Sequence, residues 1–238
     1  MKTREIAVTA IFTALVTATT MMIQVYIPET RGYFNLGELM VYLTALLFGP
    51  HVGAIAGGVG SALADLLTGY QIYAPATFVI KGVEGFIVGY LSNLFKRKER
   101  YAKLGAIFSA ILVFTLASII GVFFYTGTLE WTLGWPLFQY TAAVKLESYI
   151  WIIIGALVSL IILYLGYRGK LTGFNVFSMI TGGLEMVLGY FLYETVLYGA
   201  PAAAVEVPFN IGQVIVGTIG ATILYEPIKN LLQKITSE

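Results

Sequence analysis

Long apolar runs separated by short polar segments follow one another along almost the whole chain. An α-helix needs about 20 predominantly apolar residues to cross the hydrocarbon core of a bilayer. Eight runs approach or exceed this length, so the pattern predicts an all-α integral membrane protein, a bundle of about eight transmembrane helices. The predicted spans cover residues 5–27, 35–48, 52–68, 75–95, 104–125, 139–166, 172–197 and 207–232. A tight turn at Gly49-Pro50-His51 joins the short second and third spans.

The basic residues test this number of spans. With a cytoplasmic N-terminus, the cytoplasmic segments hold eleven lysines and arginines, whereas the opposite side holds only Arg31. An excess of Lys and Arg in cytoplasmic loops is typical of membrane proteins, and one miscounted span would remove it. We therefore expect both termini in the cytoplasm. The eleven residues are Lys2, Arg4, Lys96, Arg97, Lys98, Arg100, Lys103, Arg168, Lys170, Lys229 and Lys234.

The composition agrees with a membrane protein and argues against several other classes. Of the 238 residues, 58% are hydrophobic and only 11% are charged, so we expect residues 1–238 to form a single transmembrane domain. The formal net charge of +1 argues against a nucleic-acid partner. The absence of cysteine excludes disulfides, zinc–thiolate sites and cysteine nucleophiles. The first apolar run is too long for the core of a signal peptide, and we expect it to remain as the first span.

The sequence contains no motif for ATP hydrolysis. Gly169-Lys170 is followed by Leu171 and lacks the upstream glycine of a phosphate-binding loop. The metalloprotease and serine-hydrolase motifs are missing as well. We therefore expect a protein that is not an enzyme and that has no catalytic residues, metal site or cofactor. Energy for transport would come from a gradient or from partner subunits.

Ionisable side chains inside the predicted spans point to a binding site. Each costs about 2.5–3.5 kcal/mol at the centre of a span on insertion scales, so such residues mark functional sites by default. Lys81 and Glu84 share one helix face, because residues three apart are neighbours. The polar residues fall at one depth, the outer half of the membrane, which is typical of a solute pocket that opens to the outside. They are Glu38, Asp65, Lys81, Glu84, Glu194, Asn210 and Gln213.

Aromatic and amide side chains in the outer connections extend this cluster. Tyr33, Asn35 and Tyr73 offer rings and hydrogen-bonding groups that suit a flat heteroaromatic ligand. Other interpretations remain open. Tyrosines at span ends form interfacial belts, and the lysine–glutamate pair of the fourth span fits a structural intrahelical contact. Asn210 with Gln213 fits a hydrogen-bonded contact between helices.

Small residues form a stripe on the first span. Ala10, Ala14 and Ala18 recur every four residues and therefore share one face. Faces of this kind let helix backbones approach closely in lipid. Two interpretations are open, a contact inside the bundle and a docking surface for another subunit.

Three segments carry a family resemblance. They are residues 32–38 (GYFNLGE), residues 47–85 with LFGPHVG, GSALADL, YAPAT and KGVEG, and residues 186–194 (MVLGYFLYE) with 206–210 (EVPFN). These segments resemble the substrate-binding S components of energy-coupling factor (ECF) vitamin transporters, in particular the riboflavin-transporter-like S-component family. The middle segment is the longest and the most specific.

The resemblance implies a protein that captures a water-soluble vitamin or precursor on the outer face of a prokaryotic cell membrane. It also implies assembly with a transmembrane T component and two ATP-binding-cassette ATPases. In this family an Ala-x-x-x-Ala pattern on the first helix docks the T component, and Ala10 and Ala14 match it. The ligand classes that we expect are pyridoxine, hydroxymethylpyrimidine, thiamine and riboflavin. The candidate ligand contacts are Tyr33, Asn35, Glu38, Asp65, Tyr73, Lys81, Glu84, Tyr190, Glu194, Asn210 and Gln213.

The number of spans departs from the family pattern. S components normally have six spans, so we expect residues 104–166 to be a two-helix insertion into a six-helix core. An even number of inserted spans preserves the topology of the segments that follow, in agreement with the basic residues. Trp131, Trp135, Lys145 and Glu147 in this insertion are candidates to enlarge or cap the pocket.

Two other functions are alternatives to this one. A gradient-driven secondary transporter that works alone would need broken helices and an inverted repeat, and the sequence shows no clear internal repeat. An intramembrane enzyme would need a recognisable catalytic constellation, which the sequence lacks.

Overall fold

The computed structural model describes residues 3–96, 102–124, 126–135, 138–168 and 173–237. Lys2, Arg97, Lys98, Arg100 and Lys170, which belong to the predicted cytoplasmic segments, lie outside these ranges. Within the ranges, the chain folds into eight helices and two antiparallel β-hairpins. The helices are α1 (Thr3–Met22), α2 (Gly37–Phe48), α3 (Pro50–Thr68), α4 (Ala74–Lys96), α5 (Ala102–Phe124), α6 (Ser148–Arg168), α7 (Gly173–Tyr198) and α8 (Ala200–Ser237). The hairpins are β1 (Gln24–Ile27) with β2 (Gly32–Asn35) and β3 (Gly127–Trp135) with β4 (Phe138–Leu146).

The helices have the length and apolarity of a membrane bundle. In the described residues, α1, α3, α4, α5, α7 and α8 are long and apolar enough to cross a membrane, and α2 and residues 148–164 of α6 are shorter apolar helices. Large apolar side chains on the outer faces are exposed, among them Ile111, Leu160 and Val196. A water-soluble protein would bury most such side chains, whereas in a membrane they contact lipid. The predicted all-α membrane bundle is confirmed.

Some predicted span bounds were wrong. The first helix ends at Met22, because residues 24–27 pair with residues 32–35 in a hairpin that includes the pairs Tyr26–Tyr33 and Ile27–Gly32. The sixth helix begins at Ser148 and not at residue 139, because residues 127–146 form the second hairpin. In residues 128–135 apolar and polar residues alternate, which is the period of a strand and not of a helix. Hairpins thus occupy positions that hydrophobicity alone assigned to spans.

Two glycines separate consecutive helices. Gly49 has a φ of +86° and precedes Pro50, which begins α3, so the predicted tight turn is present. Gly199 has a φ of +88° between α7 and α8. L-residues with a side chain rarely adopt these positive φ values, and glycine adopts them at little cost. Proline in the first turn of a helix costs no hydrogen bond, because the backbone N–H groups of that turn have no partner inside the helix. Pro50 and Pro201 both occupy such a position.

Six helices surround the interior. Each helix packs on the next in the order α1, α3, α4, α7, α8, α2. The ring is closed because α2 packs on α1. α2 also packs on α3 and α4, and its side chains Val41, Tyr42, Leu43 and Leu46 are fully buried. α5 and α6 pack mainly on each other and reach the ring chiefly through α7. An apolar cavity of about 350 Å³ lies between α5, α6, α7 and α8, so the α5–α6 pair is not closely packed on α8.

Candidate functional site

The predicted polar residues gather at the end of the bundle that carries the β1–β2 hairpin, which we call the β1–β2 end. None of the eleven candidates is more than 9% exposed. They come from β2, α2, α3, the connection before α4, α4, α7 and α8. Buried polar groups are costly unless they are paired or bind a ligand, so the cluster requires a structural or a functional explanation.

Lys81 lies at the centre of a buried charge cluster. Its ammonium forms ion pairs with Oε1 of Glu38 on α2 and, at 3.2 Å, with Oε2 of Glu84 one helical turn away. Tyr42 donates a hydrogen bond of 2.9 Å to Oε1 of Glu84. The intrahelical pair of the fourth span is therefore present, and it is also joined to α2. Nζ of Lys81 lies 5.6 Å from the ring centroid of Tyr190, within range of a cation–π contact.

A small cavity of about 30 Å³ lies beside this cluster. A buried site needs roughly 10–15 Å³ for each water molecule, so the cavity is far smaller than a vitamin. Eight of the eleven candidates line it, namely Tyr33, Asn35, Asp65, Tyr73, Lys81, Tyr190, Asn210 and Gln213. Glu38 and Glu84 bind Lys81 and do not line it, and Glu194 lies next to Tyr73 and Glu206. Thr20, Gly32, Gly37, Ser61, Thr77 and Glu206 complete the wall.

The β1–β2 hairpin forms one side of the cavity and is bonded to three helices or their connections. Tyr33 donates a hydrogen bond of 2.6 Å to Oδ1 of Asp65 on α3. The backbone N–H of Asn35 donates to Oε1 of Gln213 on α8 at 3.2 Å. Tyr73 donates to the carbonyl oxygen of Thr30 at 2.7 Å, and Thr30 donates to Glu206. The hairpin therefore closes the β1–β2 end over the cavity.

Two of these tyrosines remain protonated at all ordinary pH values. Burial, and then the neighbouring Asp65, raise the pKa of Tyr33 above its usual value of 10.0. Burial, and then Glu194 and Glu206, raise the pKa of Tyr73 in the same direction. Both hydroxyls are therefore stable hydrogen-bond donors to the groups that hold the hairpin.

The two amides on α8 bond to each other. Nε2 of Gln213 donates to Oδ1 of Asn210 at 2.7 Å, and Oε1 of Gln213 accepts from Asn35. These bonds join α8 to the hairpin. They do not join α8 to another helix, which is the other interpretation of this pair from the sequence. Both side chains also line the cavity, where they offer polar atoms to a ligand.

Glu206 is the main site residue that sequence reasoning missed. It is 4% exposed, lines the cavity and accepts the hydrogen bond from Thr30. The predicted eighth span begins at residue 207, which puts Glu206 in a loop. Residues 200–205 are proline, alanine and valine, and proline in the first helical turn is a start signal that would have extended the helix over Glu206.

Two of the four residues proposed from the insertion have described side chains, and these two do not line the cavity. Lys145 forms an exposed ion pair with Glu147 at 2.8 Å, which raises the pKa of the lysine. Neither residue lines the cavity. Trp131 and Trp135 belong to β3, and their side chains lie outside the described part of the structure.

Comparison with known proteins gives a consistent family. The sequence profile of the family described as "ECF-type riboflavin transporter, S component" matches residues 1–146 and 137–230. The chain is 56% identical over 78 residues to an "Uncharacterized protein in gap 3'region" of Pyrococcus woesei. The match covers 33% of this chain and 52% of that protein, so the chain spans about half the length of this relative. It is 27% identical over 133 residues to the "Thiamine precursor transporter HmpT" of Lactococcus lactis subsp. cremoris (strain MG1363), over 56% of this chain and 70% of that protein.

Proposed function

This chain belongs to the family of ECF-type riboflavin transporter S components, and we propose that it is the substrate-binding subunit of an ECF importer. In this role it captures a water-soluble vitamin or precursor on the outer face of a prokaryotic cell membrane. The observation that carries the proposal is the polar cavity at the β1–β2 end, where buried charged, amide and tyrosine side chains meet inside an apolar bundle. Polar groups at this depth are costly unless a ligand or a partner satisfies them.

The ligand classes that fit this site are pyridoxine, hydroxymethylpyrimidine, thiamine and riboflavin. All are small ring compounds with several hydrogen-bonding groups, which suits a cavity lined by tyrosines, amides and charged groups. The relative from Lactococcus lactis is named as a thiamine precursor transporter, which supports the smaller members of this set.

Ligand entry requires the hairpin to move. The cavity of about 30 Å³ is too small for any of these compounds, and Tyr33 and Asn35 of the hairpin form part of its wall. The hairpin is held by side-chain hydrogen bonds and not by a continuous sheet with other elements. We therefore propose that the β1–β2 hairpin opens to admit the ligand and closes over it.

The partner subunits are a transmembrane T component and two ATP-binding-cassette ATPases. Ala10, Ala14 and Ala18 are exposed on α1, whereas Thr9, Val16 and Thr20 on another face of the same helix are buried. The alanine stripe is thus free for a helix of another subunit, and small residues allow a close approach in lipid. This surface is our proposed docking site for the T component.

We also propose that residues 104–166 are an insertion in a single transmembrane domain. The ring of α1, α2, α3, α4, α7 and α8 surrounds the cavity without α5 and α6. The α5–α6 pair reaches that ring chiefly through α7, so the six-helix core is complete without it.

Native mass spectrometry of the protein purified in mild detergent tests the proposed function. We expect one molecule of a vitamin or precursor to be released from each protein molecule and to be identified by its mass. A protein that is empty and shows no thermal shift with the four ligand classes would contradict the proposal. Uptake into liposomes by this chain alone, without any ATPase, would instead show a stand-alone secondary transporter.

A further inference from the structure

Three carboxyl groups at the β1–β2 end have no cationic partner. Asp65 on α3, Glu194 on α7 and Glu206 on α8 are each at most 4% exposed. No ion pair between described residues includes any of the three. Asp65 and Glu206 line the cavity, and Glu194 lies next to Glu206.

Lys81 does not balance these groups, because it is already matched. It forms ion pairs with Glu38 and Glu84, so its one positive charge faces two carboxyl groups. With Asp65, Glu194 and Glu206, and with Glu185 on α7, which lies near Lys81 and Glu84, the cluster holds six carboxyl groups and one ammonium. With every carboxyl group ionised, six negative charges and one positive charge give a formal charge of −5. A buried excess of this size is unfavourable unless a positive charge or protons compensate it.

Several carboxyl oxygens also lack hydrogen bonds. Oδ2 of Asp65 and both oxygens of Glu194 are buried without a hydrogen-bond partner. Asp65 lines the cavity and its Oδ1 is occupied by Tyr33, so Oδ2 is the oxygen that is left without a donor. Unsatisfied buried acceptors indicate a missing donor.

The tyrosines of the cavity offer a ligand their rings, because their hydroxyl groups are already bonded within the protein. The hydroxyl of Tyr33 donates to Asp65, and that of Tyr73 donates to the carbonyl oxygen of Thr30. The hydroxyl of Tyr190 donates to Thr77. The rings of Tyr73 and Tyr190 lie 6.4 Å apart. Aromatic rings beside carboxylates are a favourable environment for a cationic nitrogen.

From this arrangement we infer that the ligand is a cationic or protonatable nitrogen heterocycle, whose positive group binds Asp65 and Glu206. The inference rests on the proposed function and narrows it, since thiamine and hydroxymethylpyrimidine have such a nitrogen and riboflavin is uncharged. The positive group supplies the charge that the three carboxyl groups lack, and a protonated ring nitrogen or an amino group on the ring also supplies a hydrogen-bond donor. A neutral flavin would leave bound protons as the only compensation for this charge.

Equilibrium binding to the purified full-length chain tests this inference. The probes are thiamine and hydroxymethylpyrimidine on one side and riboflavin and thiochrome, a neutral fused-ring oxidation product of thiamine, on the other. We expect the better of the first two to bind at least about tenfold more tightly than either neutral compound. Glu206→Gln and Asp65→Asn should each weaken the binding of that cationic probe by about tenfold or more.

Glu226→Gln is the matched control variant. Glu226 lies on α8, like Glu206, but 20 residues further along, or roughly 30 Å at 1.5 Å per residue. Its partner is Lys229, so it has no part in the site. We expect this variant to bind the cationic probe as the unmodified chain does. A thermal melt of each ligand-free variant checks that it is folded.

Each contrary outcome is specific. Tightest binding of riboflavin, unchanged by Glu206→Gln, would overturn the inference and leave the proposed function in place. Tight thiamine or hydroxymethylpyrimidine binding that both folded variants retain would overturn the assignment to Asp65 and Glu206. If none of the four probes binds and no ligand copurifies, the inference and the proposed function both fail.

Discussion

Tyr33 donates a hydrogen bond of 2.6 Å to Oδ1 of Asp65 and thereby joins the β1–β2 hairpin to the far end of α3. The two residues are 32 positions apart, and both line the cavity. A hydrogen bond to a carboxylate contributes about 1.5–3 kcal/mol to stability. The bond is therefore one of the main contacts that keep the hairpin closed.

Tyr33→Phe should loosen the hairpin. The substitution keeps the ring and removes the donor, so we expect amide hydrogen exchange in residues 24–35 to rise by about tenfold, because 1.4 kcal/mol corresponds to a factor of ten. Hydrogen exchange with mass spectrometry on the ligand-free protein measures this. Tyr26→Phe is the control, because Tyr26 pairs with Tyr33 across the same hairpin and is 54% exposed. Equal exchange in the two variants would contradict the role of the bond.

The clustering of the candidate site residues was predictable, because burying a charge in a membrane is costly in any fold. Glu38, Asp65 and Lys81 come from three spans, and only their common depth brings them together in the prediction. The structure places all three in one buried cluster. The excess of Lys and Arg in the predicted cytoplasmic loops fixes the orientation of each span, and this orientation gives a second constraint on that depth.

The hairpins and Glu206 were not predictable in the same way. Strand pairing joins positions that are not neighbours in sequence, and Val25, Tyr26 and Ile27 have the same apolarity in a strand as in a span end. The size of the cavity depends on side-chain packing between elements, which a one-dimensional pattern does not contain. Glu206 was lost because a boundary error of one helical turn or more moves a residue from a span to a loop.

Lys81→Met should destabilise the protein. The variant leaves Glu38 and Glu84 buried without their cation, and breaking a buried ion pair from one side costs about 3–5 kcal/mol. Adding Glu38→Gln removes one of the stranded charges, so the double variant should recover part of the loss. Thermal unfolding followed by tryptophan fluorescence measures both. A single variant as stable as the unmodified chain, or a double variant no better than the single one, would contradict this account.

Gly85→Ala should disturb the contact between α3 and α4. A Cβ on Gly53 would lie 2.8 Å from the carbonyl oxygen of Gly85, and a Cβ on Gly85 would collide with the carbonyl oxygen of Gly53. Because no flexible side chain is available to move, the helices must separate, at a cost of about 1–3 kcal/mol. We expect a lower unfolding temperature together with weaker ligand binding, since α3 carries Asp65 and α4 carries Lys81.

Gly82→Ala is the matched control on the same helix. The nearest atom to a Cβ on Gly82 is the carbonyl oxygen of Ala54 at 3.5 Å, an ordinary contact. Alanine has a higher helix propensity than glycine by about 1 kcal/mol, so this variant should be neutral or slightly more stable. Equal unfolding temperatures for the two variants would show that the α3–α4 contact tolerates a wider spacing.

Ala10→Trp or Ala14→Trp should prevent assembly with the T component and leave ligand binding unchanged. Both alanines are exposed on α1, and a large ring there would hold a partner helix away from the backbone. The face of α1 that reaches the cavity carries the buried Thr20, so the ligand site should be unaffected. Copurification of the tagged chain with coexpressed T component and ATPases measures assembly. Leu157→Trp on α6 is the control, since Leu157 is 56% exposed and α6 packs mainly on α5. If the alanine variants retain the partners as well as Leu157→Trp does, the T component docks on another surface.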